Sequence, residues 1–326
     1  MLLQIRWQNI LIGVLFLLSI ILNILFLHMI NILDFSTQKP LYTASADSKS
    51  EDLYLITYAD GPDVYFQNRN LLAVSAINRG FDFILNYRRD HIESSYIQQH
   101  PILQEKIGAG YWLWKPYLIL KTLQDIPDGS IVMYADSGLI IRQPMQRYLS
   151  EQFVSGKDIL AFAYNSSMQG VAATIASGDT FAALNCTEEF CRNGHHVWAG
   201  ILALRNSEQS RAFIQAWLKY CEQDSILQGI VLNSANYSEF THHQHDEAIL
   251  SVLVNRESNI VNFAAMDSNF YQYIKVHRRK KSDQSLIAFM STKNIDYEYV
   301  LQDIWPIKAL RKLMRPWTTD EYRHKD

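Results

Sequence analysis

Residues 108–145, GAGYWLWKPYLILKTLQDIPDGSIVMYADSGLIIRQPM, decide the architecture. An aromatic loop runs into a helix predicted over Lys115–Gln124, with Pro116 in its first turn, where the missing N–H costs little. After a turn, Ser130–Ala135 has the unbroken apolar character of a short strand covered on both faces in a parallel sheet. The strand stops at Asp136, which is followed by the small residues Ser137 and Gly138. A carboxylate at such a stop lies on the edge where open α/β sheets bind ligands.

The same alternation extends on both sides. Leu53–Ala59 and Phe81–Tyr87 are predicted strands, with a helix over about 67–79 between them and another helix ending near Pro101. Further along, strands are predicted at Ile159–Ala163 and Val197–Leu204, and helices over about 207–221 and 246–255. Strands alternating with helices imply one α/β domain with a mainly parallel sheet flanked by helices. The stretch after Met266 is expected to wrap around it.

The chain of 326 residues is 48% hydrophobic and 19% charged, with a net charge of -3. That composition excludes a disordered chain and gives no reason to expect a nucleic-acid partner. The basic run HRRKK at 277–281 reads as a solvated face. Cys186, Cys191 and Cys221 are too few and too irregular for a disulfide framework or zinc site, but allow one bridge and a spare thiol. No charged residue occurs from Asn9 to Leu33. At about 1.5 Å per residue, such a helix is long enough for a hydrocarbon core of about 30 Å. The expected layout is therefore a tail at 1–8, a transmembrane anchor at 9–33, a polar stem at 34–51 and a globular domain at 52–326. The triplet Ala44-Ser45-Ala46 offers a cleavage pattern, but it lies well past the apolar run, so an uncleaved anchor is favoured. Arg6 and the amino terminus precede the span, while Asp34 and Lys39 after it nearly cancel. The positive-inside rule then puts the N-terminus in the cytoplasm and makes a type II protein. Asn-x-Ser/Thr sites at Asn165, Asn185 and Asn236 do not decide the compartment.

The run Trp112-x-Trp114-Lys115-Pro116, followed by Tyr134-x-Asp136-Ser137-Gly138, resembles the Asp-x-Asp region of nucleotide-sugar glycosyltransferases with the glycosyltransferase A fold. The likeness extends over roughly residues 52–280. It implies a glycosyltransferase A-like α/β fold, a nucleotide-sugar donor and a glycan or glycoprotein acceptor. By resemblance, Thr57 and Tyr58 seat the base and ribose, and Lys115 approaches the diphosphate. Asp136, Ser137 and Gly138 meet the donor, with Asp136 also on a divalent cation (Mn²⁺ or Mg²⁺). Gly138 stands where the family's second carboxylate is expected, which puts metal dependence in doubt. Trp198, Ala199 and Gly200 open a segment that lines the donor sugar in such enzymes. Asp246 would act on the acceptor hydroxyl with Glu247 in support, and His277 corresponds to a late metal-binding histidine of retaining members.

Each assignment has a plainer counterpart. Tyr58 reads equally as a core aromatic, Gly200 as a strand glycine, Lys115 as a surface lysine and Asp246 as a helix cap. Trp112 and Trp114 read as core packing or as a wall for sugar. The cluster His242, His243 and His245 lacks a matching set of zinc ligands elsewhere. The absence of P-loop, Gly-x-Gly-x-x-Gly and Gly-x-Ser-x-Gly patterns weakens kinase, dehydrogenase and hydrolase readings. The acidic loop Asp60-Gly61-Pro62-Asp63 weakens a nucleotidyltransferase reading. A non-catalytic carbohydrate-binding or scaffold protein on the same fold is the alternative. A luminal Golgi enzyme is the expected setting, and a bacterial inner-membrane enzyme facing the cytoplasm is the runner-up.

Overall fold

Side-chain alternation along the first strand, β1 (Leu53–Tyr58), sets up two cores. Tyr54, Ile56 and Tyr58 join one apolar cluster, and Leu53 and Leu55 join another on the opposite face. The computed structural model describes residues 15–22 and 52–277, apart from 78, 154–155 and 166–169. After β1 come helix α1 (Asp63–Ala76), strand β2 (Phe83–Tyr87), helix α2 (Trp114–Asp125) and strands β3 (Ile131–Ala135) and β4 (Leu139–Ile141). Helix α3 (Met145–Gln152), strands β5 (Ile159–Ala163) and β6 (Val197–Arg205), and helices α4 (Glu208–Cys221) and α5 (His245–Arg256) follow. Strands β7 (Val261–Ala265) and β8 (Ile274–Val276) complete the order.

The main sheet runs β2-β1-β3-β6-β5-β7. All its pairings are parallel except those of β6, which is antiparallel to both β3 and β5. The expectation of a mainly parallel sheet therefore needs one amendment at β6. Ala163 at the end of β5 pairs with Val197 at the start of β6, and the helices described between them, Ala172–Ile175, Gly178–Ala183 and Glu189–Arg192, are each four to six residues long. The chain therefore returns beside the point where β5 ends, and a strand that starts there runs the other way. The reversal has a functional consequence, because it brings the start of β6 to the edge where β1, β2 and β3 end.

Helices α2, α4 and α5 cover one face, burying Leu118, Ile119, Trp217 and Ile249 against Ile56, Val132 and Leu202. Helices α1 and α3 cover the other with Leu72, Met145 and Leu149. Burying one such aliphatic side chain contributes roughly 1.5–3 kcal/mol, so both faces help fix the strand ends. Arg205-Asn206-Ser207 lies at the opposite edge from Asp136. There the Asn206 amide donates to the carbonyls of Ile126 and Pro127 at 2.9 and 3.1 Å, and Ser207 caps α4. A small second sheet pairs β4 with β8, and the His277 N–H donates to Gly138 O at 2.6 Å.

Cys186 and Cys191 form a disulfide, and Cys221 is a buried free thiol. Among the described residues, no helix is long and apolar enough to cross a membrane. Residues 15–22 are helical, while the rest of the expected anchor, the 34–51 stem and most of HRRKK lie outside the described residues. Contacts divide the chain into Met1–Ser282 and Asp283–Asp326, and the second unit is likewise outside them.

Candidate active site

Lys115 sits on the first turn of α2 with its N–H donated to the Trp112 carbonyl at 2.9 Å. Its side chain does not reach solvent but points into the protein. There Nζ donates to Asp246 Oδ2 at 2.6 Å and lies 3.9 Å from Asp136 Oδ1. Side-chain exposure is 3% for Lys115 and 5% for Asp246, but 23% for Asp136. The three charges therefore form a line with Asp136 at its open end. Aromatic rings of Trp114 and Tyr134 flank the ammonium at 5.8 and 5.4 Å.

Asp136 is held by the local fold. Its N–H donates to Gly200 O at 2.8 Å, tying it to the reversed strand β6, and the Tyr134 hydroxyl donates to Oδ1 at 2.6 Å. Tyr134 can do this because period-two spacing puts residues 134 and 136 on the same side of the chain. Ser137 is half-buried and Gly138 is buried beside it, with the His277 backbone tied to Gly138. The His277 backbone is thus held against the turn that begins at Asp136, although the two are far apart in sequence.

Asp246 is not a helix cap. Gln244 occupies that position and makes no side-chain cap bond, while Asp246 faces inward with its carbonyl receiving the Trp217 indole N–H at 3.1 Å. In this structure the Asp246 carboxylate is buried and engaged with Lys115. Glu247 points elsewhere. It bridges His196 Nε2 at 3.0 Å and the Ala199 N–H at 3.0 Å, which fixes the start of β6. His196 was not singled out by sequence, although two consecutive histidines just before a strand were the available signal.

Trp198 and Gly200 lie side by side on β6. Trp198 is buried in the core cluster on the α1 side, and a Cβ on Gly200 would meet its indole at 2.5 Å. The absence of a Cβ leaves room for the neighbouring tryptophan. Tyr58 is a core residue, stacked on Trp114 with ring centroids 3.9 Å apart, and its hydroxyl donates to Asp60 at 3.2 Å. Next to it, the Thr57 hydroxyl and both amide atoms of Asn86 are buried with no hydrogen-bond partner among the described residues. Thr57 and Asn86 are paired across β1 and β2 at the same sheet edge. Buried polar groups of this kind ordinarily have water or a ligand as partner.

The histidine run does not converge on a common point. His242 contacts Thr241 and Gln244 at 2.8 Å each, and His245 Nδ1 lies 3.0 Å from Leu227 O. His243 packs over Gly229, and burial, reinforced by His245, pushes it down to about 4. Among the described residues, the one close trio of metal-type side chains is Cys186, Glu188 and Cys191, two of which share a disulfide.

Burial pushes the Asp246 carboxyl up to about 7 from 3.8; Lys115 opposes this, and Glu247 and Asp136 add to it. Burial by itself would depress the Lys115 ammonium, but Asp246 and Asp136 outweigh it and hold Lys115 above its ordinary value. Lys115 therefore stays charged through neutrality, while Asp246 exchanges its proton there. The folded chain holds a proton between pH 3.8 and about 7 that the unfolded chain has released. Stability from this group is thus fully present at low pH and lost as pH rises through that window. Urea midpoints across it should fall relative to Asp246→Asn; a relative rise would reverse the assignment.

No protein-family model matches the chain, and no curated protein matches it in sequence. It is similar to solved structures of glycosyltransferases. A galactosyltransferase, LgtC, in complex with donor and acceptor sugar analogs is 14% identical over 65% of this chain and 73% of that one, with a TM-score of 0.36. Mouse xyloside xylosyltransferase 1 is 11% identical over 67% of this chain and 85% of that one, with a TM-score of 0.37. GlyE of Streptococcus pneumoniae TIGR4 is 14% identical over 82% and 53%, with a TM-score of 0.36. Likeness at this level says nothing about chemistry, which has to come from the side chains.

Proposed function

We propose that the protein transfers a sugar from a nucleotide-sugar donor to a glycan or glycoprotein acceptor. The observation that carries this reading is Asp136 at the ligand-binding edge of the sheet, oriented by Tyr134 and backed by the buried Lys115–Asp246 pair. Two carboxylates around one ammonium leave negative character at the open end when both are ionised. That suits a cation accompanied by phosphates.

The donor set fits such an ion. Asp136 and His277 would hold it together with diphosphate oxygens, and the imidazole favours Mn²⁺ over the all-oxygen shell preferred by Mg²⁺. When bound, the cation offsets charge on the departing nucleoside diphosphate. The protein's own part is positional. Tyr134 fixes the plane of the Asp136 carboxylate, Lys115 holds it from behind, and the β4–β8 pairing keeps the His277 backbone beside the same turn. Thr57 and Asn86 lie buried at the neighbouring strand ends, beneath the edge where a nucleoside would seat.

Full-length protein in detergent, assayed against a panel of nucleotide sugars with and without Mn²⁺, tests the reading. Hydrolysis or transfer from one donor supports it, and NMR of the product anomer tests whether configuration is retained, as the likeness of His277 to retaining members implies. Inactivity with every donor would remove it.

The anchor at 9–33 and a luminal Golgi domain belong to the same proposal. A buried disulfide between Cys186 and Cys191 supports a compartment where thiols oxidise. In sealed vesicles the domain should resist protease until detergent is added. Digestion without detergent would place it in the cytosol.

A further inference from the structure

Residues 108–112 wind one turn in the left-handed sense. Their φ values are 54° at Gly108, 52° at Ala109, 101° at Gly110, 52° at Tyr111 and 61° at Trp112. Two glycines make the turn possible, and Gly110 is also fixed by space, since a Cβ there would meet Leu103 Cα at 2.5 Å. Ala109, Tyr111 and Trp112 have no such excuse, because a Cβ crowds the following carbonyl in this region. His245, whose φ is 52°, is strained in the same way and directly precedes Asp246. Four of the five described non-glycine residues with positive φ (Ala109, Tyr111, Trp112 and His245) thus flank Lys115 and Asp246, and only Asn185 lies elsewhere in sequence. Strain concentrated at one place persists where surrounding structure enforces it, and it clusters at ligand sites.

The strain brings rings together. His245 lies nearly parallel to Trp112, with centroids 5.6 Å apart and planes at 21°, and edge-on to Tyr111 at 4.9 Å and 78°. All three residues are half-buried, neither sealed in the core nor fully in water. Trp114, two residues on, is the contrasting case: it is buried, stacked on Tyr58, and donates its indole N–H to Gly108 O at 2.9 Å, which closes the turn. The turn is also wired to the charged line, because the Trp112 carbonyl receives the Lys115 N–H.

We infer that Tyr111, Trp112 and His245 form the platform on which the acceptor sugar stacks. The inference rests on the transferase reading for the word acceptor, but sugar binding itself does not require it. A pyranose presents an apolar C–H face on one side and hydroxyls around its rim. A half-exposed aromatic wall takes the face and leaves the rim for polar groups. Its place beside Lys115 and Asp246 puts the sugar at the same sheet edge as Asp136. The strained turn leaves two bulky rings half-exposed, each packed on one side against the core.

Asn tolerates the left-handed region better than other side chains that carry a Cβ, so Trp112→Asn and His245→Asn remove a ring while retaining the backbone. Saturation-transfer NMR with methyl glycosides of glucose, galactose, mannose, xylose and N-acetylglucosamine measures the platform directly on full-length protein. At least one glycoside should bind the wild type with saturation on its C–H face. Each Asn variant should weaken that binding by about tenfold, near the upper end for a single aromatic contact, and Trp112→Tyr should restore most of it. Nucleoside diphosphate affinity and the melting temperature should hold. Glycoside binding that survives both Asn substitutions overturns the platform. So does an early melt, which would make the rings core, or failure of every glycoside to bind the wild type. If glycosides bind as expected while no nucleotide sugar is turned over, the platform stands and the transferase reading falls.

Discussion

Asp136→Asn should lower sugar transfer by about 100-fold or more, the range seen when one preorganised electrostatic contact is removed, with little change in thermal unfolding. The substitution keeps the shape and the ability to accept from Tyr134 while removing the charge at the open end of the Asp136–Lys115–Asp246 line. The partial exposure of Asp136 and its backbone bond to Gly200 should let the fold tolerate the change. The loss should fall on turnover and on the Mn²⁺ concentration needed, because the carboxylate is the one charged cation ligand proposed. Activity with a good donor within a few-fold of wild type would take Asp136 out of the site. An equally large drop in melting temperature would make it structural.

Asp136 is legible in the sequence because its signal is local. A buried strand that stops on a carboxylate followed by Ser137 and Gly138 places that group without knowledge of anything distant. Lys115 and Asp246 are separated by 131 positions, and no pattern along the chain says that they meet. Without the partner, Lys115 reads as an exposed lysine and Asp246 as a cap. Gly200 is a third case. A strand glycine marks a close approach, and Trp198, two residues earlier on the same face of the strand, is the neighbour that a Cβ would meet. The antiparallel direction of β6 is not legible either, because among the described residues only short helices lie between Ala163 and Val197. The left-handed turn is half visible, since Gly108 and Gly110 announce unusual backbone. Ala109, Tyr111 and Trp112 follow them against their own preference, in a turn closed by the Trp114 indole on Gly108 O and packed against Leu103 at Gly110.

Lys115→Met should be the most destabilising single change at the site. It leaves Asp246 buried without its cation, and breaking a buried pair by removing one partner costs about 3–5 kcal/mol. Asp246→Leu should cost a similar amount by stranding Lys115. The double variant is the informative one. Met and Leu together replace the buried pair by apolar groups that match the surrounding Trp114, Tyr134 and Trp217 side chains. Such replacements are often neutral or stabilising, so most of the loss should return. Chemical unfolding of the four proteins gives the coupling directly, and the two single losses should fail to add by more than about 2 kcal/mol, within the range for residues in contact. Catalysis should not return with stability, because Asp136 would then lack the ammonium behind it. If the double variant regains both, the pair is a folding device alone. Additive single losses would instead show that Lys115 and Asp246 do not act as a pair in solution, despite the 2.6 Å contact between them.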